Sequence, residues 1–207
     1  MQAKVELVAI TPNCKEVIER AARLCYSSFS KAGPGSAEPL IRRAIECGHH
    51  SILEHAYVSF LIIGLSRACT HQLVRHRLCA FSQRSQRFVG EENFYYILPP
   101  SIPPELTKEF DDDMKVIRSM YRKWRQKLPR EDARFVLPNA CASQIVVSAN
   151  FREWRHILCL RCQKSAQWEI RSICLQILLI LNKESPSVFQ DFVIDEETAT
   201  AYTPFPS

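Results

Sequence analysis

The chain has 207 residues, of which 46% are apolar and 24% charged, the balance of a soluble globular protein and not of a disordered one. Five glycines and twelve prolines exclude collagen-like and low-complexity architectures. At this size roughly 70% of the unfolded surface can be buried, so a hydrophobic core needs no disulfide support. Nine cysteines, an odd number scattered from Cys14 to Cys174, read as free thiols of a reduced, cytoplasmic protein. Met1–Leu7 carries charges where a signal peptide needs an apolar run, and no apolar run approaches the ~20 residues that span a bilayer. No membrane partner is expected.

The net charge of +5 is concentrated. Between His55 and Gly90 there is no Asp or Glu, but Arg67, Arg75, Arg77, Arg84 and Arg87 fall there and account for the whole excess. A general nucleic-acid binder more often spreads Lys and Arg over a face. An all-arginine cluster points to planar, bidentate recognition of phosphate or carboxylate.

In chain order, Lys4–Ile10 alternates as a strand. Thr11-Pro12 opens a helix with Val17, Ile18, Ala21, Ala22, Leu24 and Cys25 on its apolar face. Residues 29–38 read as a mobile loop, followed by a helix over 38–47 that Gly48 stops. Ala56–Ile63 reads as a buried strand, and Ser66 caps a helix running toward Arg75. Residues 75–88 fit neither a helix nor a strand. Phe94–Ile97 reads as a strand, and the prolines at 99–104 as a stiff lead into a long helix. Leu106, Phe110, Met114, Ile117, Met120, Tyr121 and Trp124 keep to one side of that helix, which predicts a core helix. Gln144–Ser148 reads as a strand, 150–161 and 165–182 as helices, Pro186 as the start of a short element, and 198–207 as a frayed tail. No repeat or composition shift marks a boundary. Residues 1–207 therefore read as a single α+β domain.

Within residues 72–87 stand Arg75, His76, Arg77, Arg84 and Arg87 with Gln72, Gln83, Ser85 and Gln86. The arginines want anions, and the amides and hydroxyls can bond a heterocycle edge or a phosphate oxygen. A solvated basic loop is the plainer alternative. On a helical wheel that turns by about 100° per residue, Phe151, Trp154, Ile157, Leu158 and Leu160 form one apolar arc. Arg161 lands inside this arc, where a guanidinium must snorkel or find a buried partner. Arg155 falls outside it and reads as solvated surface. Cys159 and Cys162 form a C-x-x-C, but a zinc site needs two more ligands and no second such pair exists, so no metal is expected. His49, His50 and His55 could ligate a metal with Glu54, or simply follow a helix end. Ser85 has no evident base to make it a nucleophile.

Arg75-His76-Arg77 followed after seven residues by Ser85 resembles the signature of the flavin-dependent thymidylate synthases. Gly48–His55, Ala133–Pro138, Asn150–Arg152 and the block from Leu160-Arg161 to Ala166–Ile170 are similar to further segments of that family, in collinear order. The resemblance implies an α+β fold with a mainly antiparallel sheet flanked by long helices. It implies reductive methylation of dUMP to dTMP, with FAD as cofactor and NADPH and methylenetetrahydrofolate as co-substrates, in a homotetramer with active sites at subunit interfaces. It assigns FAD contacts to Ser51, Arg75, His76, Arg77, Gln83, Asn150, Phe151, Arg152 and His156, with His49 a further candidate. It assigns dUMP contacts to Gln72, Arg75, Gln83, Arg84, Ser85, Gln86, Arg87, Arg134 and Arg161, and gives Arg161 the catalytic role of polarising the uracil. No cysteine is required as nucleophile. Phe151 and His156 depart from the residues the family usually has there, so a flavin-dependent nucleotide enzyme with altered substrate stays open. A non-enzymatic basic domain that binds nucleic acid is the alternative of another class.

Overall fold

In the computed structural model, residues 3–205 are described. Strand β1 is Lys4–Ile10, and helix α1, Cys14–Cys25, buries Cys14, Ile18 and Ala22 at four-residue spacing. Leu24 and Cys25 are exposed, not core as expected. Leu24 lies about 200° around the helix from Ala22. The loop at 29–38 is tied down more than its composition suggests. Phe29–Lys31 forms a 3-10 turn, and Ser36 Oγ donates to Glu19 and accepts from the Gly33 N–H.

Helix α2, Ala37–Glu46, ends in a Schellman turn. Gly48 N–H reaches the Ile45 carbonyl and His49 N–H the Ala44 carbonyl, with Gly48 at φ +74° where a Cβ would be strained. The turn delivers a 3-10 segment, His50–His55, into strand β2, Tyr57–Ser66. Ser66 Oγ accepts from Cys69 N–H at 3.0 Å and caps helix α3, Arg67–Leu73. Ala80–Gln83, inside the arginine segment, is a short strand β3.

Helix α4, Pro104–Arg125, buries only Met114 and Tyr121, with Phe110 and Ile117 packed at the margin of the cluster of Phe94, Met114 and Cys141. Leu106, Met120 and Trp124 stay exposed, so the expected core helix is packed along a narrow line. Phe94–Ile97 makes one antiparallel bridge, Tyr96 to Cys141, in place of the expected strand. The Phe94 carbonyl is taken by the Arg118 guanidinium, which also lies over the Phe94 and Tyr96 rings.

Helix α5 is Arg130–Ala133, followed by a 3-10 turn at Arg134–Val136. Strand β4 is Ala142–Asn150, α6 is Phe151–Arg161, α7 is Trp168–Glu184 and α8 is Pro186–Phe189. Val193–Asp195 (β5) and Thr200–Tyr202 (β6) pair antiparallel, Ile194 opposite Ala201, so the expected frayed tail contains a short paired strand; residues 206 and 207 lie outside the described residues.

The fold is the expected mixture of helices and an antiparallel sheet, with strand order β1-β2-β4-β3. The chain gathers into two compact units. The first holds residues 3–4, 62–75 and 82–145, with α3, α4 and α5. The second holds 5–61, 76–81 and 146–205, with α1, α2, α6, α7 and α8. Its core is Phe60 edge-on to Trp154, Phe151 edge-on to Phe189, and the buried face of α7 from Ile170 to Leu181. Among the described residues no helix is long and apolar enough to cross a membrane.

Candidate active site

In the second unit the candidate residues cluster around the start and end of α6. Asn150 caps the helix, its Oδ1 accepting from Glu153 N–H at 2.8 Å, which leaves its amide NH2 for a ligand. Phe151 is a core residue, and its N–H donates to the Ala56 carbonyl at 2.9 Å. Any ligand contact there is left to its carbonyl. Arg152 is exposed and paired with Glu54 at 2.5 Å. Asn150, Arg152, Glu153, His156, Glu54 and Leu78 line a cavity of about 540 Å3. A second cavity of about 630 Å3 is lined by Ser51, His49 and Arg152 together with Cys25, Tyr26 and Cys47. Both volumes lie in the ~300–1,000 Å3 range of small-molecule sites. The buried His50 ring is tied back to α2, its Nε2 donating to the Ile45 carbonyl.

Arg161 finds the partner that its place on the wheel demands. Its Nε donates to His76 Nε2 at 3.0 Å. An arginine only donates, so Nε2 must be bare and the imidazole neutral. Burial holds the His76 pKa down at about 4, with Arg161 and then His156 adding to the effect. His76 Nδ1 faces Glu153 Oε1 at 3.8 Å, both side chains 6% exposed. Burial pushes the Glu153 carboxyl upward, opposed by His156. Arg161 keeps both terminal NH2 groups free of partners among the described residues. Arg77 is exposed and makes no ion pair or side-chain hydrogen bond among the described residues.

The first unit holds the rest. Gln83 Nε2 donates to Thr70 Oγ1 at 3.0 Å and Ser143 Oγ at 3.2 Å, so its carbonyl oxygen is the end left for a ligand. Arg84 Nη1 sits 3.3 Å from Glu91, a buried carboxyl that burial pushes upward against the pull of Arg84 and Arg67. Ser85 Oγ accepts from Arg87 N–H, the local turn bond of a serine, and among the described residues no base is bonded to it. Gln86 is buried against Cys141. Arg87 Nε reaches Glu131 Oε2 at 2.9 Å and Arg134 Nε the Glu131 carbonyl at 3.0 Å, which brings two expected dUMP ligands onto one residue. Gln72 is half-buried on α3, and Arg75 is exposed with its guanidinium unpartnered among the described residues.

Three partners are absent from the sequence reading, Glu91, Glu131 and Glu153, and Glu54, read there as a possible metal partner, is found paired with Arg152. Only Glu153 carries a signal, since it falls within the apolar arc of the α6 wheel. Arg155 corrects the reading directly. It is fully buried, with Nη1 and Nη2 each 2.7 Å from Asp191, further bonds to the Val188 and Phe205 carbonyls, and its guanidinium 5.0 Å from the Phe192 ring centroid. The thiols of Cys79, Cys141 and Cys162 are pushed up to about 12 by burial and are poor nucleophiles at neutral pH.

Arg75, Arg77 and the terminal NH2 groups of Arg161 have no partner among the described residues, and one cavity is lined by the Asn150 amide, Arg152 and His156, groups whose chemistry suits a flat, anionic ligand. Residues 6–187 match the family model described as thymidylate synthase complementing protein. Flavin-dependent thymidylate synthases of Mycolicibacterium vanbaalenii and Corynebacterium diphtheriae are 39% and 38% identical, each alignment covering 91% of this chain and 84% of the relative. That of Mycobacterium tuberculosis is 38% identical over 86% of this chain and 79% of its own. The chain belongs to the flavin-dependent thymidylate synthase family. Its fold is similar to Helicobacter pylori thymidylate synthase X with FAD and dUMP (TM-score 0.80, 23% identity, 91% of this chain and 98% of that one). It is also similar to the UMP/dUMP methylase PolB of Streptomyces cacaoi (TM-score 0.79, 24% identity, 91% and 93%).

Proposed function

We propose that this chain carries out the reductive methylation of dUMP to dTMP, with FAD as cofactor, methylenetetrahydrofolate as carbon donor and NADPH as reductant. The residues fit FAD: the smaller cavity offers the Asn150 amide, Arg152 and His156, and unpartnered Arg77 suits a pyrophosphate. When bound and reduced, FAD supplies the hydride. The protein's own work is to orient the ligands and to stabilise charge on the uracil. Ser51, Arg75, His76, Arg77, Gln83, Asn150, the Phe151 backbone, Arg152 and His156 are assigned to the flavin. Gln72, Arg75, Gln83–Arg87 and Arg134 are assigned to dUMP.

The observation that carries this reading is Arg161. Its Nε is held by a neutral imidazole, so its charge is undiminished and its two terminal NH2 groups remain for the developing negative charge of the ring. A homotetramer is part of the proposal, supported by large apolar side chains that stand exposed near the arginines in sequence, namely Leu78, Phe88 and Phe135. So is a cytoplasmic location, supported by nine free cysteines.

The test is the absorption spectrum of the purified protein together with NADPH oxidation and product formation, with UMP offered beside dUMP. Oxidised-flavin bands and dTMP formation are expected. A colourless protein that binds nucleic acid in a steeply salt-dependent way would overturn the reading.

A further inference from the structure

We propose that Glu153 is a positioning residue for the methylation step: acting through His76, it fixes which donors of Arg161 are left to the substrate. The inference rests on the role given to Arg161 above.

The chain of contacts is short. Arg161 Nε–H occupies His76 Nε2 at 3.0 Å, so the neutral ring carries its one proton on Nδ1. That nitrogen faces Glu153 Oε1 at 3.8 Å. The separation exceeds a direct hydrogen bond and is the reach of a bridging water or of a small side-chain adjustment when ligand enters. A carboxyl oxygen there favours Nδ1–H and opposes the other tautomer, which would turn a lone pair toward Glu153. The other tautomer would also set Nε2–H against the Arg161 Nε–H, two donors with no acceptor between them, and Arg161 would leave its place.

Glu153 is itself held. Its backbone N–H is anchored on the Asn150 cap, and it shares α6 with Arg161. One helix thus supplies both ends of the relay, and His76 comes from a different segment to bridge them. The ionisable groups facing His76 are Glu153, His156 and Arg161 from α6, and Cys79 closes its own turn with an N–H donated to the His76 carbonyl. Both ring nitrogens are therefore accounted for by residues of α6. Glu153 also lines the smaller cavity, so a plain cavity-wall role is the competing outcome.

The experiment uses flavin-loaded wild type, Glu153→Ala and Glu153→Gln, labelled with 15N-histidine. His76 signals are assigned by their loss in His76→Gln. Wild type and Glu153→Gln, which keeps a carbonyl oxygen, should show His76 in the Nδ1–H form, and Glu153→Ala a mixture. Glu153→Ala should lower dTMP formation by ~10–100-fold, the scale of a lost outer partner. NADPH oxidation should fall far less, and Glu153→Gln should recover most of the methylation. Glu153→Met, of similar volume without an acceptor, serves if the alanine variant does not fold. An unchanged tautomer in the variants without an acceptor overturns the inference. So does a parallel loss of NADPH oxidation, methylation and bound FAD, which marks a cavity wall. Arg161→Lys is assayed alongside. If it fails to separate the two rates, the reading of Arg161 falls, while the tautomer still reports on Glu153 and His76.

Discussion

Arg155 and Arg161 stand six residues apart on α6 and are used in opposite ways. Arg155 is fully buried with both terminal nitrogens engaged, by the Asp191 carboxylate and by two backbone carbonyls. Arg161 is half-buried and gives only Nε, to an uncharged ring. Arg77 extends the series, since no group of the described protein holds its guanidinium. A guanidinium whose two terminal nitrogens are both taken, as in Arg155, has no terminal donor left for a ligand, whereas Arg84, Arg87 and Arg152 each pair with a single carboxylate. A guanidinium matched by a neutral acceptor is placed without being neutralised. Between these two arginines of α6, the terminal donors left over, more than the depth of burial, separate the one that holds the fold from the one proposed to act on a substrate.

The largest effect should come from breaking the charge-matched end of the series. Arg155→Ala strands Asp191 and should cost ~3–5 kcal/mol in urea unfolding. Replacing both residues by apolar ones, Arg155→Met with Asp191→Leu, should recover much of that loss. If Arg155→Ala unfolds at the wild-type urea concentration, the contrast between the two arginines fails.

Next comes Arg161→Lys, which keeps the charge but loses the planar fork. It should fold and retain FAD, yet form dTMP ~10²–10³-fold more slowly. NADPH oxidation should decline much less, because reducing the flavin needs no uracil activation. Equal losses in both assays would make Arg161 structural.

His76 supplies a pH dependence. Its folded pKa is about 4, below the ~6.5 of an unfolded histidine. Between those values the unfolded chain holds the proton and the folded one does not, so stability falls as pH drops from ~6.5 to ~4 and then levels off. The span is up to ~3 kcal/mol. Subtracting the stability curve of His76→Gln from that of wild type should isolate this slope. The subtraction matters because Glu153, with its carboxyl pushed upward, contributes a slope of the opposite sign above the usual carboxylate range. A difference curve that is flat over this window would contradict a neutral, buried His76.

The smallest effect belongs to the unpartnered end. Arg77→Ala should leave the urea midpoint nearly unchanged but weaken FAD binding by ~10–150-fold, the worth of one charge-assisted bond. Fluorescence titration of the folded variant checks it.

How far the molecule is legible in its sequence follows from where each residue's neighbours lie along the chain. The strands at the N-terminus and before α6, the Ser66 cap and the Gly48 stop depend on residues within one or two turns, and they read correctly. Arg161 is legible because it breaks an apolar arc on its own helix. Glu153 breaks the same arc, and its partner is legible only in the fold. Arg155 is misread for a physical reason: what buries it are residues 188–205, far along the chain, so no local pattern could reveal it. The same holds for Glu131, which meets Arg87 only through the fold. β3 is four residues long, too short to show a period, and the strand expected at Phe94–Ile97 is cut to the single Tyr96–Cys141 bridge, with its Phe94 carbonyl taken by the Arg118 side chain.

The pairing of Arg155 with the Phe205 carbonyl has a consequence for how the chain is made. Its last acceptor lies 50 residues downstream. At ~5–20 residues per second, a ribosome needs roughly 2.5–10 s to add that length, and longer before it clears the exit tunnel. Throughout that interval α6 can form and Asn150 can cap it, but the guanidinium at its centre has no complete shell. The helix that carries Arg161 is therefore among the last parts of the second unit to become fixed during synthesis. Chains released or cleaved before residue 205 would keep a charged side chain where the finished protein has a closed interior.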